Sequence, residues 1–223
     1  MRALLNLRSE LARASHRLHA AGWVANHDGN LSARIGPDRF LVTPTAVSKA
    51  DVREDWLVVV DGAGRVVEGR RKPFGELDLH LACYRARPEV GVVCHAHPPV
   101  ATAFGVAGLP LDPLPLPEAV ISLGSVPTVQ LTPPRSPEGV RGVALAAAEA
   151  DAFLVEGNGA FTLGDGVEQA LLRMELVEHL ARILAAARPL GGARELPASL
   201  VASLLEARSK AGLGPRHAQR KSA

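Results

Sequence analysis

Two histidines separated by one residue, His95 and His97 in VCHAHPPV, are candidates for half of a metal site in this chain. Side chains two apart on a strand point to the same side, so a strand ending here directs both imidazoles at one point, where they can hold two corners of a divalent-metal site. Two histidines with no shared task give the same spacing, so the pair alone leaves both readings open. Upstream, FGELDLH puts Glu76 and His80 four residues apart at the start of a helix, on one face and within hydrogen-bonding reach. Glu76 is then either a first-turn acid favoured by the helix dipole or a carboxylate that exchanges a proton at carbon beside a carbonyl. The turns DGNLS and VTPTA offer small polar groups and backbone amides suited to an anion, to which Arg34, Arg39 and Lys72 could add charge.

These residues need elements to position them. SELARASHRLHAAG has apolar residues at helical spacing between a Ser9 cap and a Gly22 stop. The stretch from Asn26 to Thr45 alternates β-prone runs with turn residues, and WLVVVDGAGRVVEG reads as two strands around a tight turn. GELDLHLACYRARP is a helix closed by Pro88, VGVVCHAH a β-branched strand, and PPVATAFGVAG a helix with prolines in its first turn. EAVISLG and VPTVQL read as strands, and Ser136 and Pro137 open a helix as cap and first residue. AFLVEGNGAFTLG is two strands pinched at a glycine turn, followed by a long amphipathic helix ending at Pro189. A short helix from Pro197 and a frayed polar tail, Pro215 to Ala223, complete the chain. Hairpin signals without strict βαβ alternation predict an α/β fold, a single-domain three-layer αβα sandwich with a largely antiparallel central sheet. The expected division is a domain over 1–190 and a C-terminal helix with basic tail over 191–223.

Composition narrows the class. With 47% hydrophobic and 22% charged residues, the 223-residue chain is globular, and a net charge of +2 argues against a nucleic-acid or membrane-surface partner. Cys83 and Cys94 are the only cysteines, which is no disulfide framework; both read as small buried apolar groups in a cytoplasmic protein. No run reaches the ~20 apolar residues needed to span a bilayer.

The succession GNLSAR, VTPTAVS, E-x-x-x-H, VCHAHPPVATAF and a G-N-G turn before a long helix resembles the class II aldolase and adducin head family, over roughly Ser9 to Arg188. The resemblance implies Zn²⁺ or another divalent metal held by His95, His97 and a third position, with Glu76 as the catalytic acid-base group. It also implies that Gly29, Asn30 and Thr45 bind the substrate's phosphate, and that the protein is a homotetramer with sites at subunit boundaries. The implied function is a metal-dependent lyase that makes or breaks a carbon-carbon bond in a small hydroxy-carbonyl substrate, phosphorylated or not, through an enediolate. The alternative is a non-catalytic, adducin-like assembly module.

The chain departs from the family pattern at several points. Asn158 stands where the third metal histidine is expected, and a neutral amide oxygen is a poor Zn²⁺ ligand beside imidazole. His179, on the long helix that follows, is a substitute candidate. Phe74 and Gly75 replace two serines before the acid, and no tyrosine lies near LPEAV, Tyr84 being the chain's only one.

Overall fold

A computed structural model describes the protein from Arg2 to Pro215, with side chains from Leu4 onward. The strands are β1 (Asn30–Gly36), β2 (Arg39–Val42), β3 (Val58–Val60), β4 (Val66–Glu68), β5 (Val92–Ala96), β6 (Thr128–Val129), β7 (Ala152–Val155) and β8 (Ala160–Gly164). They form one sheet in the order β4-β3-β2-β1-β5-β8-β7-β6. Every neighbouring pair is antiparallel except β6 with β7. The helices are α1 (Arg2–Ala20), α2 (Leu77–Ala86), α3 (Pro99–Val106), α4 (Pro117–Ser122), α5 (Pro137–Glu149), α6 (Val167–Ala187) and α7 (Ala198–Lys210).

The central strands are apolar on both faces, which requires a layer of helices on each side. On one face, Leu11 and Leu18 of α1, Phe104 of α3, Leu123 just after α4, and Met174, Val177 and Leu180 of α6 share a core with Val92, Cys94 and Ala96 of β5. On the other, Leu77, Leu81 and Tyr84 of α2 and Val143 and Ala147 of α5 pack on Val93, Phe153 and Phe161. This is the expected three-layer αβα arrangement. Alternation along β5 therefore sends Val93 and His95 toward the α2 layer. Both cysteines are free and buried.

Several local expectations are corrected. EAVISLG is not a strand: Pro117 opens α4, whose Ala119 and Val120 are buried. The β-branched pair Val120 and Ile121 favours a strand locally, but tertiary packing and a proline at the first helical position prevail. The first helix begins at Arg2, so Ser9 lies inside it and its hydroxyl accepts from Arg13 instead of capping. Glu76 occupies the N-cap position of α2 without making a cap bond, and the first-turn acid is Asp78. Ser136 does cap α5, accepting from the Gly139 amide at 3.1 Å.

Beyond a short 3-10 turn at Arg188–Leu190, α7 packs back against the body. Its Arg208 reaches Asp151, which is 1% exposed and also holds Arg87 and Arg173. Of the polar tail, Pro215 is buried and residues 216–223 lie outside the described residues. Among the described residues no helix is long and apolar enough to cross a membrane.

Candidate active site

Strand register builds the site floor. Asn30 of β1 is the antiparallel partner of His95 on β5, and His95 is the partner of Phe161 on β8. Directly paired residues share a face. Asn30, His95 and Phe161 thus form a row beneath α2, and the His95 ring stacks on Phe161 with centroids 4.1 Å apart. Two residues along β1, the Ser32 hydroxyl meets His80 Nδ1 at 2.7 Å and the Tyr84 hydroxyl at 2.9 Å. The expected Glu76–His80 hydrogen bond is therefore replaced by one to Ser32, which lies under the α2 face that His80 presents. Burial and the charge of His95 lower the His80 pKa to about 3, against the opposing influence of Glu76.

Glu76 enters this row from the start of α2. Its Oε2 accepts from Asn30 Nδ2 at 3.0 Å and lies 3.4 Å from His95 Nε2, while Oε1 accepts from Asn158 Nδ2 at 2.7 Å. Burial alone would raise its pKa. The charge of His95 and the hydrogen bonds from His95, Asn158 and Asn30 outweigh that and hold the carboxyl well below the usual carboxylate range.

The two histidines present a matched pair of nitrogens. His95 Nδ1 lies 3.0 Å from the Ala160 carbonyl oxygen, and His97 Nδ1 lies 3.3 Å from Asp28 Oδ2. An acceptor beside each Nδ1 favours a proton there; when charged, His95 also donates from Nε2 to Glu76 Oε2, and when both rings are neutral each Nε2 offers a lone pair, the arrangement in which imidazoles ligate metals. The two Nε2 atoms stand 3.2 Å apart. At that distance two lone pairs repel unless a proton or a cation sits between them, so the donor set fits a divalent ion at His95 and His97. Burial and the His95 charge lower the His97 pKa, against Asp28 and Glu76, which raise it. Among the described residues, no group of three or more His, Cys, Asp or Glu side chains is gathered to hold a metal ion. Glu76, His95 and His97 meet as a chain of pairwise contacts.

The hairpin between β7 and β8 brings Asn158 in. Gly159 follows it at φ 74, and a Cβ there would lie 2.3 Å from the Ala96 carbonyl oxygen and 2.6 Å from His97 Cδ2. Only glycine lets the hairpin close on His97. His179 stands elsewhere: it is exposed on α6, the helix that covers the opposite face of the sheet from His95.

The other anticipated residues divide. Gly29 is buried at φ 65 against Val24 and the His95 carbonyl, so it serves close backbone approach. Thr45 is exposed, and its amide is committed to the Lys72 carbonyl at 2.9 Å. Arg34 lies over the Phe40 and Tyr84 rings and donates to the Tyr84 carbonyl, Arg39 pairs with Asp38, and Lys72 is exposed. Two neighbours were not foreseen. Asp28 fixes the His97 ring, and its place beside the D-G-N turn was the available signal. Lys49 is 2% exposed and donates to the His27 and Val47 carbonyls.

Comparison with known proteins gives the lineage. Residues 9–185 match the Class II Aldolase and Adducin N-terminal domain. The methylthioribulose-1-phosphate dehydratase of Methylococcus capsulatus is 31% identical over 183 residues, covering 77% of this chain and 89% of that protein. A 3-oxo-tetronate 4-phosphate decarboxylase of Escherichia coli is 30% identical, covering 80% of this chain and 86% of that one. Among solved structures, an L-fuculose 1-phosphate aldolase superposes with a TM-score of 0.82 at 26% identity, covering 90% of this chain and 95% of that one. By sequence and by fold, the chain belongs to the class II aldolase and adducin N-terminal domain family.

Proposed function

We propose that this protein is a metal-dependent lyase acting on a small hydroxy-carbonyl phosphate, with Glu76 exchanging the proton at the carbon beside the carbonyl. The observation that carries this reading is the chain of contacts from Glu76 Oε2 to His95 Nε2 at 3.4 Å and on to His97 Nε2 at 3.2 Å. The similar proteins are named as an aldolase, a dehydratase and a decarboxylase, each of a phosphorylated compound, which supports this reading. His95 and His97 would hold Zn²⁺ or another divalent ion, which when bound supplies Lewis acidity at the substrate carbonyl.

The chain's own residues do the rest. His95, Asn158 and Asn30 keep Glu76 ionised and aimed, so at neutral pH it stands in the form a general base requires. The two asparagine amides serve the carboxylate, which makes Asn158 a clamp on Glu76 in place of the third metal ligand anticipated at that position. Asn30 Oδ1 is buried and has no hydrogen-bond partner among the described residues. As a hydrogen-bond acceptor it suits a substrate hydroxyl, not the phosphate oxygen anticipated for Asn30. The homotetramer is part of the same proposal and is checked by light scattering.

Asn158 facing Glu76 instead of a metal also favours a second reading, a non-catalytic assembly module. Elemental analysis of protein purified without chelator separates the two. Stoichiometric divalent metal, lost in His95→Ala, supports the lyase; none in either protein supports the module.

A further inference from the structure

A cavity of about 290 Å³ opens beside Glu76 and Asn158, between the start of α2 and the loop joining β6 to α5. Among the described residues that line it, Arg135 is the one cation, and it enters no ion pair among the described residues. Arg135 is held in an unusual way. The Ser136 amide donates to the Pro133 carbonyl at 3.1 Å, closing a turn in which Arg135 sits at φ 63. Glycine or asparagine is the ordinary occupant of such a position, and a long side chain there costs backbone strain. Strain of this kind clusters where a side chain must be presented to a ligand.

What the guanidinium is presented to follows from Gly75. A Cβ on Gly75 would lie 2.9 Å from an Arg135 Nη2 atom, so the absence of a side chain immediately before Glu76 admits the guanidinium. The candidate anion donors on the sheet side are already engaged: the Thr45 amide by Lys72, the Thr43 hydroxyl by Leu31, and the Asn30 amide by Glu76. The two carboxylates lining the cavity are both engaged at the α2 end, Glu76 by the asparagines and Asp78 by the Leu79 amide. Arg135 is the group at the other end, without an ion-pair partner among the described residues.

We infer that Arg135 is a specificity-determining residue that binds a terminal oxyanion of the substrate, carboxylate or phosphate, through its paired N–H groups, while the reacting carbon lies toward Glu76. A guanidinium fork matches either anion with two parallel hydrogen bonds. In assigning the anion to a substrate, the inference rests on the lyase reading above.

The test is calorimetric titration of the full-length protein with 2-phosphoglycolate, tartronate and neutral glycolamide. Arg135→Gln is expected to weaken binding of at least one anion by on the order of 10-fold and to leave glycolamide unchanged. Arg135→Lys should fall between, because it keeps the charge and loses the fork. Gly75→Ala, which displaces the guanidinium without removing it, should weaken the same anion by a smaller factor. Loss confined to 2-phosphoglycolate assigns a phosphate, and loss confined to tartronate a carboxylate. Equal binding of both anions by wild type and Arg135→Gln, or no binding of either anion by wild type, overturns the inference. If binding is equal while Glu76→Gln abolishes turnover, this inference falls and the lyase reading stands. If binding depends on Arg135 while Glu76→Gln turns over like wild type, the lyase reading falls alone.

Discussion

The side-chain amide of Asn158 donates to Glu76 Oε1 at 2.7 Å, joining the β7–β8 hairpin to the start of α2. After His95, this bond and the one from Asn30 to the other carboxylate oxygen hold Glu76 in its charged form.

Asn158→Ala removes one of the donors that lower the Glu76 pKa. Loss of a hydrogen bond to the charged form raises a carboxyl pKa by about 1 unit. The acid limb of the kcat/KM profile should move to higher pH by that amount, with the alkaline limb unchanged. An unmoved acid limb means that another group titrates there.

How much of this was legible in the sequence depends on the kind of contact. The H-x-H spacing, the capped helix at Ser136 and the pinched hairpin around Asn158 are local patterns, and local patterns survive folding. The family resemblance also led to the expectation that Glu76, His95, His97 and the Asn158 position lie near one another, and the side chains do make contact. Their pairing did not follow from the resemblance: that Asn30 lies opposite His95 is a matter of strand register, and register depends on the whole sheet. The same limit hid the Ser32–His80 bond and the Asp28–His97 contact. EAVISLG misled because strand propensity was weighed without the surface it packs on. Arg135 carried no motif, and its meaning arises only from the neighbouring glycine in space.

Buried His80 and half-buried Glu76 give acid sensitivity that sets in at different pH. His80 is lowered from 6.5 to about 3, so the unfolded chain binds its proton more readily than the native one. The associated stability is complete above pH 6.5 and falls with pH toward 3, by about 1.4 kcal/mol per pH unit at most. Glu76, lowered from 4.5, acts the same way only below pH 4.5. Denaturant titrations should therefore show His80→Phe flattening the slope between pH 6.5 and 4.5, and Glu76→Gln flattening it only below. Identical slopes in wild type and His80→Phe contradict the buried neutral imidazole.

Asp151, 1% exposed, pairs with Arg87 just after α2, Arg173 of α6 and Arg208 of α7. Asp151→Asn leaves, among the described residues, Glu89 paired with Arg87 and Asp165 near Arg173 to oppose the guanidinium charges. Equilibrium unfolding should show a loss of about 3–5 kcal/mol. A change under 1 kcal/mol shows that the arginines find other acceptors.

Gly159→Ala places a methyl group where the Ala96 carbonyl and the His97 ring already stand. Strain and steric overlap should cost about 1–3 kcal/mol and shift the His97 ring signals in NMR. Unchanged signals would separate the hairpin from His97.

The central claim is that Glu76 moves a proton at carbon beside a carbonyl, and it is read most directly without knowing the natural substrate. Metal-loaded protein in D₂O is given dihydroxyacetone phosphate, and deuterium entry at the carbon beside its carbonyl is followed by ¹H NMR. The account predicts catalysed exchange in wild type and a loss on the order of 10²–10⁴-fold in Glu76→Gln, the range for removing a general base. Exchange at the wild-type rate in Glu76→Gln would contradict it.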